Sequence, residues 1–178
     1  EGLTKKLAST VFDTVVSALK ALEETMKSLI TETAAFGDSI DKNSQRLGMT
    51  TAEYQEWNYI LSQNGANIST LTTSVRTINN RIDEMSKGSA TATEAFHRLG
   101  ISMQDLEGKS GEENLSLIIE RLQGMEDETQ RNAVANDLLG RSYVDLIPLL
   151  NKSAGSVDEL RQKAHDTNQL LSEEGIQA

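Results

Sequence analysis

Apolar residues recur every three or four positions through the first part of the chain, about 3–36, and neither glycine nor proline interrupts them. This spacing predicts one amphipathic helix, about 50 Å long at 1.5 Å per residue. The stripe consists of Leu7, Val11, Val15, Leu19, Leu22, Met26, Leu29 and Ile30. Because so long a helix exceeds most small cores, we expect the stripe to pack either on the rest of this chain or on another chain.

The pattern changes at Gly37, since 11 of the 12 glycines lie from there onward and the apolar repeats become short. No run alternates with period two, so no strand is predicted. Shorter helices are predicted after Gly48 and at about 67–87, 89–99, 111–123, 126–139, 142–150 and 156–171. Pro148 should kink or restart its helix, because proline donates no backbone hydrogen bond. The predicted fold class is all-α.

The predicted architecture is a long N-terminal helix plus a compact bundle of short helices joined by glycine-capped tight turns. We divide the chain into a long amphipathic helix (1–36), a compact helical domain (37–155) and a C-terminal helical segment that leads onward (156–178). The chain begins without methionine, and a helix that Ser172 could cap would end within two turns. We therefore interpret the sequence as an internal piece of a longer protein.

Glycines mark where the short helices should end. Left-handed C-terminal caps are predicted at Gly48, Gly65, Gly88, Gly100 and Gly140. Four glycines also begin the pattern Gly-x-[Ser/Thr]-x-x-[Asp/Glu], at 48–53, 100–105, 108–113 and 140–145. The hydroxyl of each pattern should cap the next helix, with the carboxylate adding charge at its positive end. The intervals are unequal, which argues against a solenoid of fixed period.

The helix at about 67–87 has the most regular stripe, formed by Ile68, Leu71, Val75, Ile78, Ile82 and Met85. Its other face is rich in serine, threonine and asparagine, which are poor helix formers. The helicity of this segment must therefore come from packing against its neighbours. Modest stability is the expected consequence.

The stretch "SQRLGMTTAEYQEW" (44–57) has the outline of a DNA-reading helix-turn-helix. The second helix, however, offers Glu53 and Glu56, and no lysine or arginine occurs between Arg46 and Arg76. Such a helix would repel phosphate, so we interpret the stretch as a structural corner. Tyr54 and Trp57 lie one turn apart there and belong either to the core or to a surface for a partner.

Composition excludes several other classes. There are 17 basic against 27 acidic residues, and the net charge of −10 opposes binding to nucleic acid. Cysteine is absent, so the chain has neither disulfides nor thiolate sites. No apolar run approaches the roughly 18 to 20 residues of a membrane span, and the start lacks the apolar core of a signal peptide.

The search for chemistry returns no site. His97 and His165 are far apart, and neither has a histidine or carboxylate four residues on, as a helical metal pair requires. The acidic stretch "GMEDETQR" (124–131) lacks the ligand spacing of a calcium loop and is better explained as the first turn of a helix. We therefore expect no catalytic residue, no cofactor and no metal, and no enzymatic activity.

Four stretches resemble the tail tape measure proteins of long-tailed bacteriophages and related prophages. They are "IDKNSQRLGMTTAEYQEWNYILSQNGANISTL" (40–71), "ATEAFHRLGISMQDL" (92–106), "LQGMEDETQRNAVANDLLGRSYVDLIPLLN" (122–151) and the looser "AHDTNQLLSEEGIQA" (164–178). They cover most of 40–178 in the family's order. The N-terminal helix shares only the general character of the family's long helices.

The resemblance implies a structural protein that lies inside the tail tube, sets tail length during assembly and leaves with the DNA. Its implied partners are the tail tube protein, the tail assembly chaperones and the tail tip proteins, and the family allows parallel self-association. It implies synthesis in the cytoplasm of the bacterial host and a final place in the virion. An acidic helical interaction module of a bacterial surface or secretion protein is the alternative. A helical node broken by glycines departs from a plain rod, so we expect a node within a longer rod.

Overall fold

The computed structural model describes residues 2–167, 170–172 and 176, without the side chains of 2–13, 26 and 28–33. Within that part of the chain every regular element is helical, which confirms the all-α class. The helices are α1 (Gly2–Leu47), α2 (Thr51–Gln63), α3 (Ile68–Ser86), α4 (Ala90–His97), α5 (Met103–Leu106), α6 (Gly111–Gln123), α7 (Glu128–Leu139), α8 (Tyr143–Leu150) and α9 (Ser156–Asp166). A 3₁₀ turn, Gly140–Ser142, joins α7 to α8.

Helix α1 is longer than the sequence predicts. The expected end near residue 36 is wrong, because the helix continues through Gly37 to Leu47. Its last three turns carry Ile40, which is 1% exposed and belongs to the core, and an ion pair of 2.6 Å between Lys42 and Asp38. Packing therefore outweighs the low helix propensity of glycine at this point. The division of the chain into domains at 36 and 155 stays a prediction.

The glycine corners form where they were predicted. Gly48, Gly65, Gly88, Gly100 and Gly140 all have positive φ. Gly140 differs from the others in its ψ of −157° at φ 64°, a region that is essentially restricted to glycine. It is not a left-handed cap in the strict sense. This conformation turns the chain from α7 directly into the 3₁₀ turn.

Three of the four predicted caps are confirmed as complete capping boxes. In each, the hydroxyl accepts from the backbone N–H three residues on, while that residue's carboxylate accepts from the cap's own N–H. The pairs are Thr50 with Glu53, Ser102 with Asp105, and Ser110 with Glu113. Each box begins a helix within three residues of a positive-φ glycine. The corners therefore fix both the end of one helix and the start of the next.

The fourth predicted cap, Ser142, is wrong. Because the 3₁₀ turn runs directly into α8, this serine has helical backbone angles and caps no N–H group. Its buried hydroxyl instead donates to the Leu139 carbonyl at 2.6 Å and lies 3.0 Å from the Ser74 hydroxyl of α3. Asp145, the expected partner in the cap, accepts from Thr70 of α3 at 3.3 Å. The motif therefore connects α8 to α3.

Helix α3 is the centre of the compact part, since α2 and α4 to α8 all contact it. Its predicted stripe is confirmed, because Leu71, Val75 and Ile78 are at most 1% exposed. Thr70 and Ser74 on its polar side are buried as well. These two poor helix formers are thus enclosed by neighbouring helices. Thr70 donates to Asp145 of α8, and the Ser74 hydroxyl lies against that of Ser142 in the turn between α7 and α8.

The remaining helices follow from the same pattern. Helix α8 continues through Pro148 to Leu150, so the predicted restart is wrong and the interruption lies before the helix, at the 3₁₀ turn. Helix α9 ends at Asp166, earlier than the predicted 171, and packs on α2. We expect small-angle scattering to give the profile of a compact particle from which α1 extends.

Candidate functional site: an exposed apolar stripe and a buried charge cluster

The first candidate is the apolar face of α1. Val15, Leu19 and Leu22 are 51%, 60% and 57% exposed, and their spacing places them on one side of the helix. Phe36, two heptads beyond Leu22, is 50% exposed. Single exposed apolar residues are ordinary, but a row of them marks a contact surface. We call Val15, Leu19 and Leu22 the apolar stripe.

The stripe does not pack on the rest of the chain at these three positions. Of the two options left open by the sequence, the first is therefore wrong for them. The other predicted members, Leu7, Val11, Met26, Leu29 and Ile30, have side chains outside the described part of the structure. Along α1 the polar face carries exposed ion pairs such as Lys27 with Glu23 at 2.7 Å. At the apolar stripe, α1 thus presents an uncovered apolar face.

The second candidate is a charge cluster made of Glu56 from α2, Glu112 from α6, and Arg161 and His165 from α9. Glu112 is 5% exposed, and its carboxylate contacts the Arg161 guanidinium directly. Arg161 Nε lies 3.3 Å from Glu56 Oε2, although the N–H does not point at that oxygen. His165 Nε2 lies 2.7 Å from Glu56 Oε1. One cation thus lies between the buried carboxylate of Glu112 and the partly buried carboxylate of Glu56, which come from different helices.

Trp57 completes the surroundings of the charge cluster. Its side chain is fully buried, and its indole Nε1 donates to Glu112 Oε1 at 2.9 Å. The guanidinium of Arg161 lies 5.7 Å from the centre of the indole ring, within cation–π range. Burial lowers the pKa of Arg161, while the charges of Glu56 and Glu53 act to raise it. Arginine remains protonated under all ordinary conditions, so the cluster is permanently charged.

The geometry of the charge cluster suits a structural role. Ser116 donates to Glu112 at 2.8 Å, whereas His165 contacts Glu56, so the serine and the histidine do not form a nucleophile–base pair. A groove of about 250 Å³ opens beside Glu112 and Arg161 between α6 and α9. Its lining includes four carboxylates and two cations, Lys109 and Arg161. The charge cluster therefore holds α9 against α2 and α6.

The aromatic corner is resolved in favour of the core, because Tyr54 is 6% exposed and Trp57 is fully buried. Burial raises the pKa of Tyr54. Helix α2 packs on α1, α3 and α9, so much of its surface is used inside the fold and is not available to a DNA groove. This packing adds a second argument to the charge argument against a helix-turn-helix.

The predicted histidines are not brought together. His97 is exposed at the end of α4, and His165 belongs to the charge cluster. Asp127 caps α7 by accepting from the Gln130 N–H at 2.9 Å, which confirms that the acidic stretch begins a helix. No group of three or more potential ligands gathers around a metal position in the described part of the chain. No helix among the described residues is long and apolar enough to cross a membrane.

Sequence reasoning missed the contact that closes the fold. The side-chain amide of Gln55 pairs with the backbone of Leu171, donating to its carbonyl at 3.1 Å and accepting from its N–H at 2.7 Å. Beyond it, Ile176 is buried against Gly37 of α1. We call the contact between Gly37 and Ile176 the return contact. The only signal in the sequence was a glycine in the middle of an otherwise strong helical pattern.

The family model described as "Phage-related minor tail protein" matches residues 2–140, which is 139 of the 178 residues. The chain belongs to this family. No curated protein and no solved structure matches it. The minor tail protein is therefore a structural component of a phage tail, with other tail components as its partners. The match includes α1 to α7 and ends before the helix that supplies Arg161.

Proposed function

We propose that this minor tail protein is part of a tape measure, which sets tail length during assembly and is released with the DNA. The observation that carries the proposal is α1, which runs for 46 residues without interruption, or about 69 Å. A helix has a fixed rise per residue, so the number of residues translates directly into distance. The resemblance of the four stretches in 40–178 to tape measure proteins supports the same function.

The apolar stripe supplies the contacts that such a rod needs. Inside a tube, a single amphipathic helix would leave Leu19 and Leu22 in water, whereas parallel copies bury them against one another. We infer that the chain runs along the inside of the tube as a parallel bundle. The tail tube protein, assembly chaperones and tail tip proteins are the proposed partners.

The compact part has a proposed role in release. Its central helix α3 depends on its neighbours, because its buried Thr70 and Ser74 contribute little helix propensity. Loss of those neighbours would therefore unfold α3, and the part would pass a narrow tube as an open chain. Urea denaturation of the isolated chain tests this, and a very high midpoint would count against it.

The deciding experiment is an in-frame deletion of residues 3–30 in the full-length gene. Removing 28 helical residues should shorten tails by about 42 Å in electron micrographs. A matched control replaces Leu19 and Leu22 by glutamine at constant length and should leave the length of any assembled tail unchanged. If the deletion variant assembles tails of the original length, the ruler function is wrong for this segment.

The alternative function, an interaction module of a bacterial surface or secretion protein, rested on the acidic charge and the uncovered helix. Membership in a phage tail family favours the tail over that setting. The apolar stripe is explained equally well by bundling within a tail. We therefore propose no second function. Catalysis has no role in the proposed mechanism.

A further inference from the structure

The return contact places two distant parts of the chain in direct touch. A Cβ atom on Gly37 would lie 2.7 Å from the Ile176 carbonyl oxygen, which is closer than real Cβ atoms approach, and 3.1 Å from its Cα. Only glycine lets the two backbones meet at this distance. Ile176 is 9% exposed and belongs to the core. The chain therefore comes back to α1 at the level of Gly37.

A second clamp holds the returning segment in the same place. Gln55 is 6% exposed, and its amide makes both of the hydrogen bonds that a neighbouring strand would make to Leu171. The side chain can satisfy both backbone groups of Leu171 because an amide carries both a donor and an acceptor. The path of the chain is thus fixed at 171 and again at 176, on both sides of the α1–α2 corner.

We propose that residues 38–175, which include the last ten residues of α1, form a folded side unit whose two ends meet at Gly37 and Ile176, so the unit adds almost no length to the tail. The inference rests on the proposed ruler function. These 138 residues would extend about 207 Å as one continuous helix. Folded, they begin and end within contact distance, because Gly37 and Ile176 touch. Tail length then depends on the helical rod outside the unit.

The test compares two in-frame deletions in the full-length gene. One removes 3–30 from α1, and the other removes 38–175 and joins Gly37 to Ile176 through two glycines. We expect the first deletion to shorten tails by about 42 Å and the second to change them by less than about 10 Å. A shortening near 207 Å after the second deletion would overturn the side unit while leaving the ruler intact. An unchanged length after the first deletion would instead remove the ruler, and the inference with it.

If the large deletion yields no tails, a distance measurement on the 178-residue chain tests whether the two ends of the side unit meet. The chain has no cysteine, so Ser39→Cys and Ser172→Cys give a unique pair of spin-label sites on the two sides of the return contact. One short, narrow distance distribution is expected, which Gln55→Ala should broaden. A long or broad distribution in the chain that keeps Gln55 would overturn the proposal.

Discussion

Arg161 should be the residue on which the docking of α9 depends most. In Arg161→Met the apolar stem keeps its place beside Trp57, but the two carboxylates lose their shared cation. Glu112 then stays buried with only the Trp57 and Ser116 donors. Removing one partner of a buried ion pair costs about 3–5 kcal/mol, and the 23% exposure of Arg161 favours a smaller value, about 2–3 kcal/mol. For a chain of this size that lowers Tm by about 4–12 °C.

The assay is urea denaturation followed by fluorescence, because the only tryptophan, Trp57, lies inside the charge cluster. Asp158→Ala is the matched control, since this carboxylate also pairs with Arg161 at 3.3 Å but is 83% exposed. Its removal should cost less than about 0.5 kcal/mol. The double variant Arg161→Met with Glu112→Gln should recover at least about 1 kcal/mol relative to the sum of the single changes.

Two results would refute this reasoning. One is a loss in Arg161→Met no larger than in Asp158→Ala, which would mean that the guanidinium is effectively solvated. The other is strict additivity in the double variant, which would mean that Arg161 and Glu112 are not energetically coupled.

Three further predictions concern single positions. Gly37→Ala should favour the helix by about 1 kcal/mol through its higher helix propensity. It should nevertheless speed hydrogen exchange of the Leu171 amide, because the new Cβ displaces the returning chain. Ala35→Leu, on the exposed side of α1, is the control and should leave that exchange unchanged. Thr50→Ala should cost about 1 kcal/mol in denaturant by removing the α2 capping box, and an unchanged midpoint would contradict it. The hydrogen bonds from Ser102 lower the pKa of Asp105 below its ordinary value of 3.8, so the capping box stabilises α5 fully above pH 3.8 and is lost as the pH falls through the lowered pKa. The NMR chemical shift of the Ser102 amide should follow this titration. A chemical shift that stays constant as the pH is lowered below 3.8 would argue against the prediction.

Local signals were enough to predict most of the helices and corners. The three capping boxes need only a hydroxyl, a carboxylate three residues on and a preceding glycine, so they appear wherever that pattern begins a helix. The stripe of α3 likewise specifies its own buried face. Ser142 follows the same pattern and still fails as a cap, because the 3₁₀ turn runs directly into α8 and places the hydroxyl against Ser74.

The longer-range contacts had no such local signal. Glu112 and Arg161 are 49 residues apart, and Gln55 and Leu171 are 116 apart, so their pairing depends on how the helices pack. In the sequence, the buried Glu112 has the pattern of an exposed charge on a helix surface. The predicted end of α1 was wrong for a related reason. Glycine favours the end of a helix in the sequence, and the contact of Gly37 with Ile176 is visible only in the fold.

The continuity of α1 from the apolar stripe to Ile40 couples distance to rotation. Each residue inserted between Leu22 and Ile40 turns the core-facing side by about 100° around the rod axis, in addition to moving it about 1.5 Å. Insertions of 7 or 11 residues change the direction by only about 20°, and 18 residues restore it. Lengths that differ by other numbers would aim the folded part into the neighbouring helix of a bundle or away from it. Viable lengths of this helix should therefore come in discrete steps.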